Sequence, residues 1–351
     1  MIDREIAKSA LDKIIKKSRV HLYKPIQIAE ILYRHRLFGD IDLLNVEGYR
    51  NKSKKWRDDI CIQLLRRVST SSQKYQDDVF NDNAMPPILL NQLGIENIQT
   101  GGAVEAYIYR NFTAKHNQLS EALAYCLNTT KEIFDVNIFI SSFRQQAGLK
   151  RSIDKVYEII VFSLFSTLVE ALDLTVEISV NENKKDLLQE FGDFGIKIMC
   201  LDFNNPKYIQ NAKVYRVGVT NAADRGLDMY SNWGPAIQIK HLSLDETLAE
   251  DIVGGVSSDR IVIVCKEAER NVILSLLNQI GWKSRIQSIV TETDLISWYE
   301  KALRGRFGNE IGASLIGKLC SEIAREFPSV LEMPEVLMSR HYENINDTFW
   351  E

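Results

Sequence analysis

Asp228, Gln238 and Lys240 stand on the stretch GLDMYSNWGPAIQIKHL, residues 226–242, with nine residues between the acid and a Gln-x-Lys. Metal-dependent phosphodiester cleavage requires a carboxylate to hold a divalent cation, a second oxygen ligand beside it, and a cation near the attacking water or the scissile phosphate. These three side chains supply those types in that order. As a bare pattern the spacing is weak, since on the order of one such match arises by chance in a chain of this length. Local grammar adds weight. Met229 and Tyr230 suit a strand, Ser231-Asn232-Trp233-Gly234-Pro235 carries turn chemistry, and Ala236 to Leu242 resumes as a strand. Period-2 geometry puts Ile237 and Ile239 on one face and Gln238 and Lys240 on the other, and a hairpin partner brings Asp228 across to them. A solvated outer face of an antiparallel pair gives the same alternation. The pattern alone leaves both readings open.

Periodicity gives the elements that must hold these residues. SIDKVYEIIVFSLFSTLVEALDL, beginning at Ser152, is apolar almost all round and predicts a buried helix with Ser152 as N-cap. An acid in so apolar a helix, Glu158, is paired or metal-bound, or else sits at the positive end of the helix dipole. Asp224 and Glu170 are the alternative acids. Downstream, TVEISV, KVYRVGVT, the hairpin, RIVIVC and RIQSIVT predict strands, and KKDLLQEFGDFGI, SLDETLAEDIVGGV, EAERNVILSLLNQIG and ETDLISWYEKALRG predict helices between them. That order predicts an α/β domain with a mixed sheet.

The first 150 residues predict mainly helix. KPIQIAEILYRHR and KKWRDDICIQLLRR, separated by the breakers of LFGDIDLLNVEGYRN, are compatible with a helix-turn-helix-like unit. The net charge of −4 hides an asymmetry: residues 1–75 hold 17 Lys and Arg against 9 Asp and Glu, a local +8, which leaves −12 on the rest. Local charge decides where a polyanion docks. Arg34, Arg36, Lys54, Lys55, Arg57, Arg66 and Arg67 are the candidates for DNA contact, a solvated helix face being the bland alternative. STSSQKYQDD, residues 69–78, suits phosphates or base edges, or an ordinary loop. The division expected is a basic, helical DNA-binding region over 1–150 and a catalytic region over 151–351. The segment FPSVLEMPEVLMSRHYENINDTFWE reads either as a packed helix or as a tail.

Several classes are excluded. There is no G-x-x-x-x-G-K-[ST], G-x-G-x-x-G or G-x-S-x-G. The five histidines form no i,i+4 pair, and the five cysteines no C-x-x-C, which argues against zinc sites and disulfide frameworks. The apolar run IIVFSLFSTLV is too short to span a bilayer and no apolar signal core stands at the N-terminus. A cytoplasmic protein without a membrane partner is expected.

The Asp228, Gln-x-Lys arrangement resembles the PD-(D/E)xK nuclease motif with Gln in place of the second acid. More specifically, KSRVHLYKPIQIAEILYRHR, SIDKVYEIIVFSLFSTLV, RVGVTNAADRGLDMYSNWGPAIQIKHLSL and SDRIVIVCKEAERNVILSLLNQIGWKSRIQSIVTETDL resemble the HaeII family of type II restriction endonucleases, from about residue 10 to 310. The resemblance implies a PD-(D/E)xK core with a mixed sheet flanked by helices, and a Mg²⁺-dependent homodimer. It further implies cleavage of double-stranded DNA at the palindrome RGCGCY, with a cognate methyltransferase as companion. It makes Asp228, Gln238, Lys240 and Glu158 the expected catalytic residues, and Asp228, Gln238, the Ile239 carbonyl and Glu158 the expected metal ligands. Gln238 departs from the usual acid, which leaves the number of metals open.

Overall fold

Helix α1 (Arg4–Lys17) starts where the Asp3 carboxylate accepts the Glu5 N–H and ends on Lys16 and Lys17, charges that suit the two ends of its dipole. The computed structural model describes residues 3–66, 68, 79–146, 148–217, 227–269, 272, 285–327 and 335–351. They divide into two compact units, one of Met1–Tyr157, Val219–Ala222 and Leu319–Glu351, the other of Glu158–Gly218 and Ala223–Lys318. The division expected from sequence grouped the C-terminal residues with the catalytic region, whereas here Leu319–Glu351 belongs to the helical unit. The run STSSQKYQDD lies outside the described residues.

In the first unit α2 (Tyr23–Phe38) is buried on every side from Pro25 to Leu32. Such a helix is a core helix. It packs against α3 (Val46–Leu65), α4 (Pro87–Gln99) and α5 (Ala103–Asn128). α6 (Val136–Gln145), capped by Asp135, lies along α5. Leu32, Tyr49, Leu93 and Phe112 are among the apolar side chains closed off from water between α2 and its neighbours.

Glu30 and Glu105 are buried in this apolar setting, and each has a guanidinium. Arg340 binds both oxygens of Glu30 at 2.6 and 3.0 Å, and Arg36 binds both oxygens of Glu105 at 2.9 Å. Tyrosines complete the shells: Tyr109 donates to Glu30 and Tyr342 to Glu105, while the Tyr109 and Tyr342 rings stack at 5.5 Å. Asn97 also donates to Glu105. Burial, with the neighbouring Glu30, raises the Tyr109 phenol well above its ordinary range, so it stays a donor. The C-terminal segment is therefore docked. Trp350 is fully buried, and Arg110 donates to the Ile345 and Trp350 carbonyls. Among its described residues, the short helix Glu335–Met338 and a single turn at Tyr342–Asn344 are the regular pieces.

The second unit takes over partway along α7 (Ile153–Ala171), which follows a tight turn at Lys150–Ser152. Ser152 does not cap it: the residue is itself inside that turn, and its buried hydroxyl has no hydrogen-bond partner. α7 packs on the helix Glu292–Arg304, where Tyr299 donates to the Ile160 carbonyl. Strands β1 (Thr175–Ser179) and β2 (Lys207–Asn211) form an antiparallel ribbon. Strands β3 (Val214–Arg216), β4 (Met229–Ser231), β5 (Ala236–Lys240), β6 (Ile261–Cys265) and β7 (Ile286–Thr291) form a five-stranded sheet in that order. The β3–β4 and β4–β5 pairs are antiparallel, and β5–β6 and β6–β7 parallel. The expected α/β architecture with a mixed sheet and a helical N-terminal region is present. Most of the expected helix EAERNVILSLLNQIG lies outside the described residues.

The parallel crossover from β5 to β6 runs through the helix Glu246–Gly255, capped by Asp245, whose Ala249, Ile252 and Val253 cover Ala236, Ile261 and Ile263. Among the described residues no helix is long and apolar enough to cross a membrane.

Two predictions follow from this packing. Arg340→Leu leaves the Glu30 carboxylate buried without its cation, and is expected to cost about 3–5 kcal/mol of unfolding free energy by urea titration. His116 is 2% exposed, with neither ring nitrogen hydrogen-bonded, and burial pushes its pKa down from 6.5 to about 4. The unfolded chain binds this proton near pH 6.5 and the native one only near 4. Stability from this group is thus complete above the higher value and falls as pH drops between the two, by on the order of 3 kcal/mol. His116→Leu should flatten that part of the stability profile, measured by melts across the window.

Candidate active site

The turn that joins β4 to β5 is fixed before any chemistry is asked of it. Gly234 takes φ +121°, a conformation side chains resist. Ser231 N–H donates to the Pro235 carbonyl, Asn232 bridges to Lys213 N–H and the Asn211 carbonyl, and Arg260 donates to the Trp233 carbonyl. The register that results pairs Met229 with Ile237 and Tyr230 with Ala236. One step further along, Asp228 falls opposite Gln238, on the same face.

There the backbone ladder of β4 stops and a side chain continues it. Asp228 Oδ2 accepts the Ile239 N–H at 2.7 Å and Gln238 Nε2 at 2.5 Å. Val217 N–H holds the Asp228 backbone carbonyl at 2.9 Å from the other side. β5 is central, so both of its faces are covered: Ile237, Gln238 and Ile239 are 4, 2 and 6% exposed. A solvated outer face is thereby removed as the reason for the alternation.

Lys240 follows Gln238 by two residues, hence on the same face, and it is half-buried. Its register partner on β6 is Cys265, whose thiol burial pushes up to about 12, with Asp294 and Glu267 adding to the shift. The strand thus presents one ammonium beside a neutral thiol.

Gln238 Oε1 is buried and has no hydrogen-bond partner among the described residues. Leaving a carbonyl oxygen unsatisfied in the interior costs about 1–3 kcal/mol. An oxygen-seeking divalent cation beside Asp228 would satisfy it, so the donor set of Asp228, Gln238 and the adjoining Ile239 carbonyl fits such an ion. Among the described residues no three His, Cys, Asp or Glu side chains gather into a metal-holding group. The donors at the hairpin are one acid, one amide and one backbone carbonyl.

Glu158 belongs to the same compact unit and is 7% exposed on α7. Of the alternative acids, Asp224 lies outside the described residues. Glu170 is committed elsewhere: it accepts from Lys318 at 2.5 Å and from Ser166 at 2.9 Å, and against the desolvation that would raise it these bonds hold its carboxyl low. The sequence reading passed over Tyr230, which shares a sheet face with Asp228 two residues away. It stacks on Tyr215 at 5.0 Å, and the two rings are 43 and 39% exposed. Aromatic alternation with Asp228 was the available signal.

The basic candidates separate by what they already hold. Arg36 is spent on Glu105, and Arg57 is buried on Asp58 at 2.7 Å. Arg34 lies over the Trp56 ring at 4.5 Å, Lys54 is half-buried, and Lys55 and Arg66 are exposed. Arg67 lies outside the described residues. α2 is enclosed from Pro25 to Leu32, which leaves α3 as the more accessible of the two helices expected to read DNA.

The sequence matches the family model of the HaeII restriction endonuclease over residues 7–342. The chain belongs to the HaeII restriction endonuclease family. It is 58% identical over 349 residues to the type II restriction enzyme HaeII of Haemophilus aegyptius, covering 99% of both chains. It is 57% identical over 336 residues to the type II restriction enzyme NgoBI of Neisseria gonorrhoeae, covering 96% of this chain and 95% of that one. No solved structure matches it significantly. As a member of the HaeII family the chain is a type II restriction endonuclease.

The pair itself can be tested without any substrate. Gln238→Glu sets a second carboxylate against Asp228, and like charges at that distance cannot both stay ionised. The variant is expected to melt several degrees below wild type at pH 8, and to recover most of the loss at lower pH or on adding a divalent cation. Identical melting curves at both pH values would mean that the two side chains do not meet.

Proposed function

We propose that the chain hydrolyses phosphodiester bonds of double-stranded DNA in a Mg²⁺-dependent, sequence-specific reaction at RGCGCY, as a homodimer whose companion is a cognate methyltransferase. The observation that carries the catalytic part is the buried, unpartnered Gln238 Oε1 held next to Asp228, with Lys240 beyond it on the same face. The palindrome and the companion rest on resemblance to the HaeII family.

In this reading Asp228, Gln238 Oε1, the Ile239 carbonyl and Glu158 hold Mg²⁺. When bound, the ion supplies Lewis acidity at the phosphoryl oxygens and lowers the pKa of bound water. The chain's own residues do the rest. The Ile239 N–H fixes the Asp228 carboxylate, so that it need not reorganise as charge develops. Lys240 places an ammonium where the attacking water or the phosphorane carries negative charge. Tyr230 and Tyr215 offer hydroxyls and ring faces to the DNA backbone beside it. The more accessible cations of the helical unit, Lys54, Lys55, Arg66 and Arg34, add sequence-independent affinity for phosphates. Cutting both strands of a palindrome favours a two-fold dimer, because each subunit then meets one half-site.

The test is digestion of a plasmid of known sequence by wild type, Asp228→Asn and Lys240→Ala, with Mg²⁺ or with EDTA. Wild type with Mg²⁺ should give discrete fragments whose ends map to RGCGCY. Each variant should be slower by on the order of 10²–10³-fold or more. A smear would replace the proposal with a nonspecific nuclease, and full activity in EDTA or in Asp228→Asn would remove the hairpin as the active site.

A further inference from the structure

The stretch from Leu172 to Ile209 inverts the usual economy of a fold. Ten large apolar side chains in it are 41–69% exposed, out of 27 such residues among all those described. Only Leu188, Gly195 and Leu201 are buried between Glu182 and Asp202. The pattern is ordered. After a turn at Glu182–Lys184 the chain is helical over Lys185–Glu190, Gly192–Phe194 and Gly195–Met199. Leu187, Phe191, Phe194 and Ile198 recur every three or four residues along that run, whose last five residues form a π turn. All four are more than half exposed. A stripe at this spacing is the face that a helix buries against a partner. Here the inward contacts are made by Leu188 and Gly195 instead, the latter so close to Leu201 that a Cβ would lie 2.7 Å from its carbonyl oxygen. The β1–β2 ribbon beside it has seven of its ten residues exposed and the other three half-buried, and such a two-stranded ribbon has little stability of its own.

The geometry points to this arm, residues 172–211, as the subunit interface, covered by the same arm of a second copy of the chain. Size favours a second copy. Ten large apolar side chains about half exposed leave several hundred Å² per chain, comparable with the roughly 800 Å² per partner of a stable complex. Monomers rarely leave more than about 300–600 Å² of contiguous apolar surface open. Charge excludes the other large partner of this enzyme. The arm holds seven Asp and Glu against four Lys, so it repels phosphates. In a two-fold contact the stripe meets itself, and residue-for-residue self-complementarity is what a face of like apolar side chains supplies. The inference rests on the dimer named in the proposed function and adds its location.

Light scattering after size exclusion, at micromolar concentration, tests it. Wild type is expected at twice the chain mass, and Phe194→Glu with Ile198→Glu at the chain mass, with unchanged circular dichroism because both side chains are exposed. A second readout needs no substitution. Cys200, exposed two residues past Ile198, should react with a maleimide several-fold more slowly at micromolar than at nanomolar chain concentration, while Cys61, Cys126 and Cys265 are buried. A double variant that folds and stays at twice the chain mass, or a Cys200 rate independent of concentration, overturns the arm as the interface and leaves the dimer and the nuclease standing. Wild type at the chain mass, with and without DNA, overturns both the arm and the dimer. Plasmid cleavage by the same preparation then reads the nuclease separately.

Discussion

One oxygen atom, Asp228 Oδ2, organises the region where the nuclease chemistry is proposed. It ends the β4–β5 ladder by accepting the Ile239 N–H and it takes the Gln238 amide at the same time. Such donors stabilise the charged form of a half-buried carboxylate. The glutamine is what makes this arrangement close on itself. An acid at position 238 would face Asp228 with like charge, and the pair would depend on a cation or a proton to stay together. The amide turns that repulsion into a hydrogen bond and leaves its carbonyl oxygen over, buried and unused.

Charge is buried in both compact units, but for different ends. Glu30 and Glu105 each face an arginine in fork geometry and are closed in by tyrosines, so their bonding capacity is filled within the fold. Completed networks of this kind specify which segments meet, and a single missing partner is costly. Arg340 and Tyr342 place the C-terminal segment on the helical unit by this means. Around Asp228 the hydrogen bonding is incomplete by one carbonyl oxygen. That open acceptor stands directly beside a carboxylate, unlike the filled shells around Glu30 and Glu105.

The hairpin was legible because period 2, turn residues and an Asp with a Gln-x-Lys coincide within a few residues, and β6 was legible as an apolar run. The burial of Gln238 was not, because alternation looks the same on a wet face and on a face covered by the helix Glu246–Gly255. Ser152 looked like a cap by residue type, yet the chain enters α7 through a tight turn that already contains it. Arg36 looked like a DNA reader because its partner, Glu105, is 69 residues away, and Arg340 reaches Glu30 across 310. Partners at such separations leave no local pattern. The arm's periodicity predicts a strand and a helix, but nothing in it tells which way the apolar side chains face.

The amide at position 238 also bears on how the proposed reaction would be assembled. With an amide beside Asp228 and Lys240 on the same face, the hairpin offers a divalent cation less Coulombic attraction than two acids would. A scissile phosphate brings the missing negative charge and a further oxygen. Ion and DNA then favour each other's binding, since each supplies what the other lacks. Such coupling ties completion of the site to a bound duplex, and it follows from one residue being an amide where the motif it resembles carries an acid.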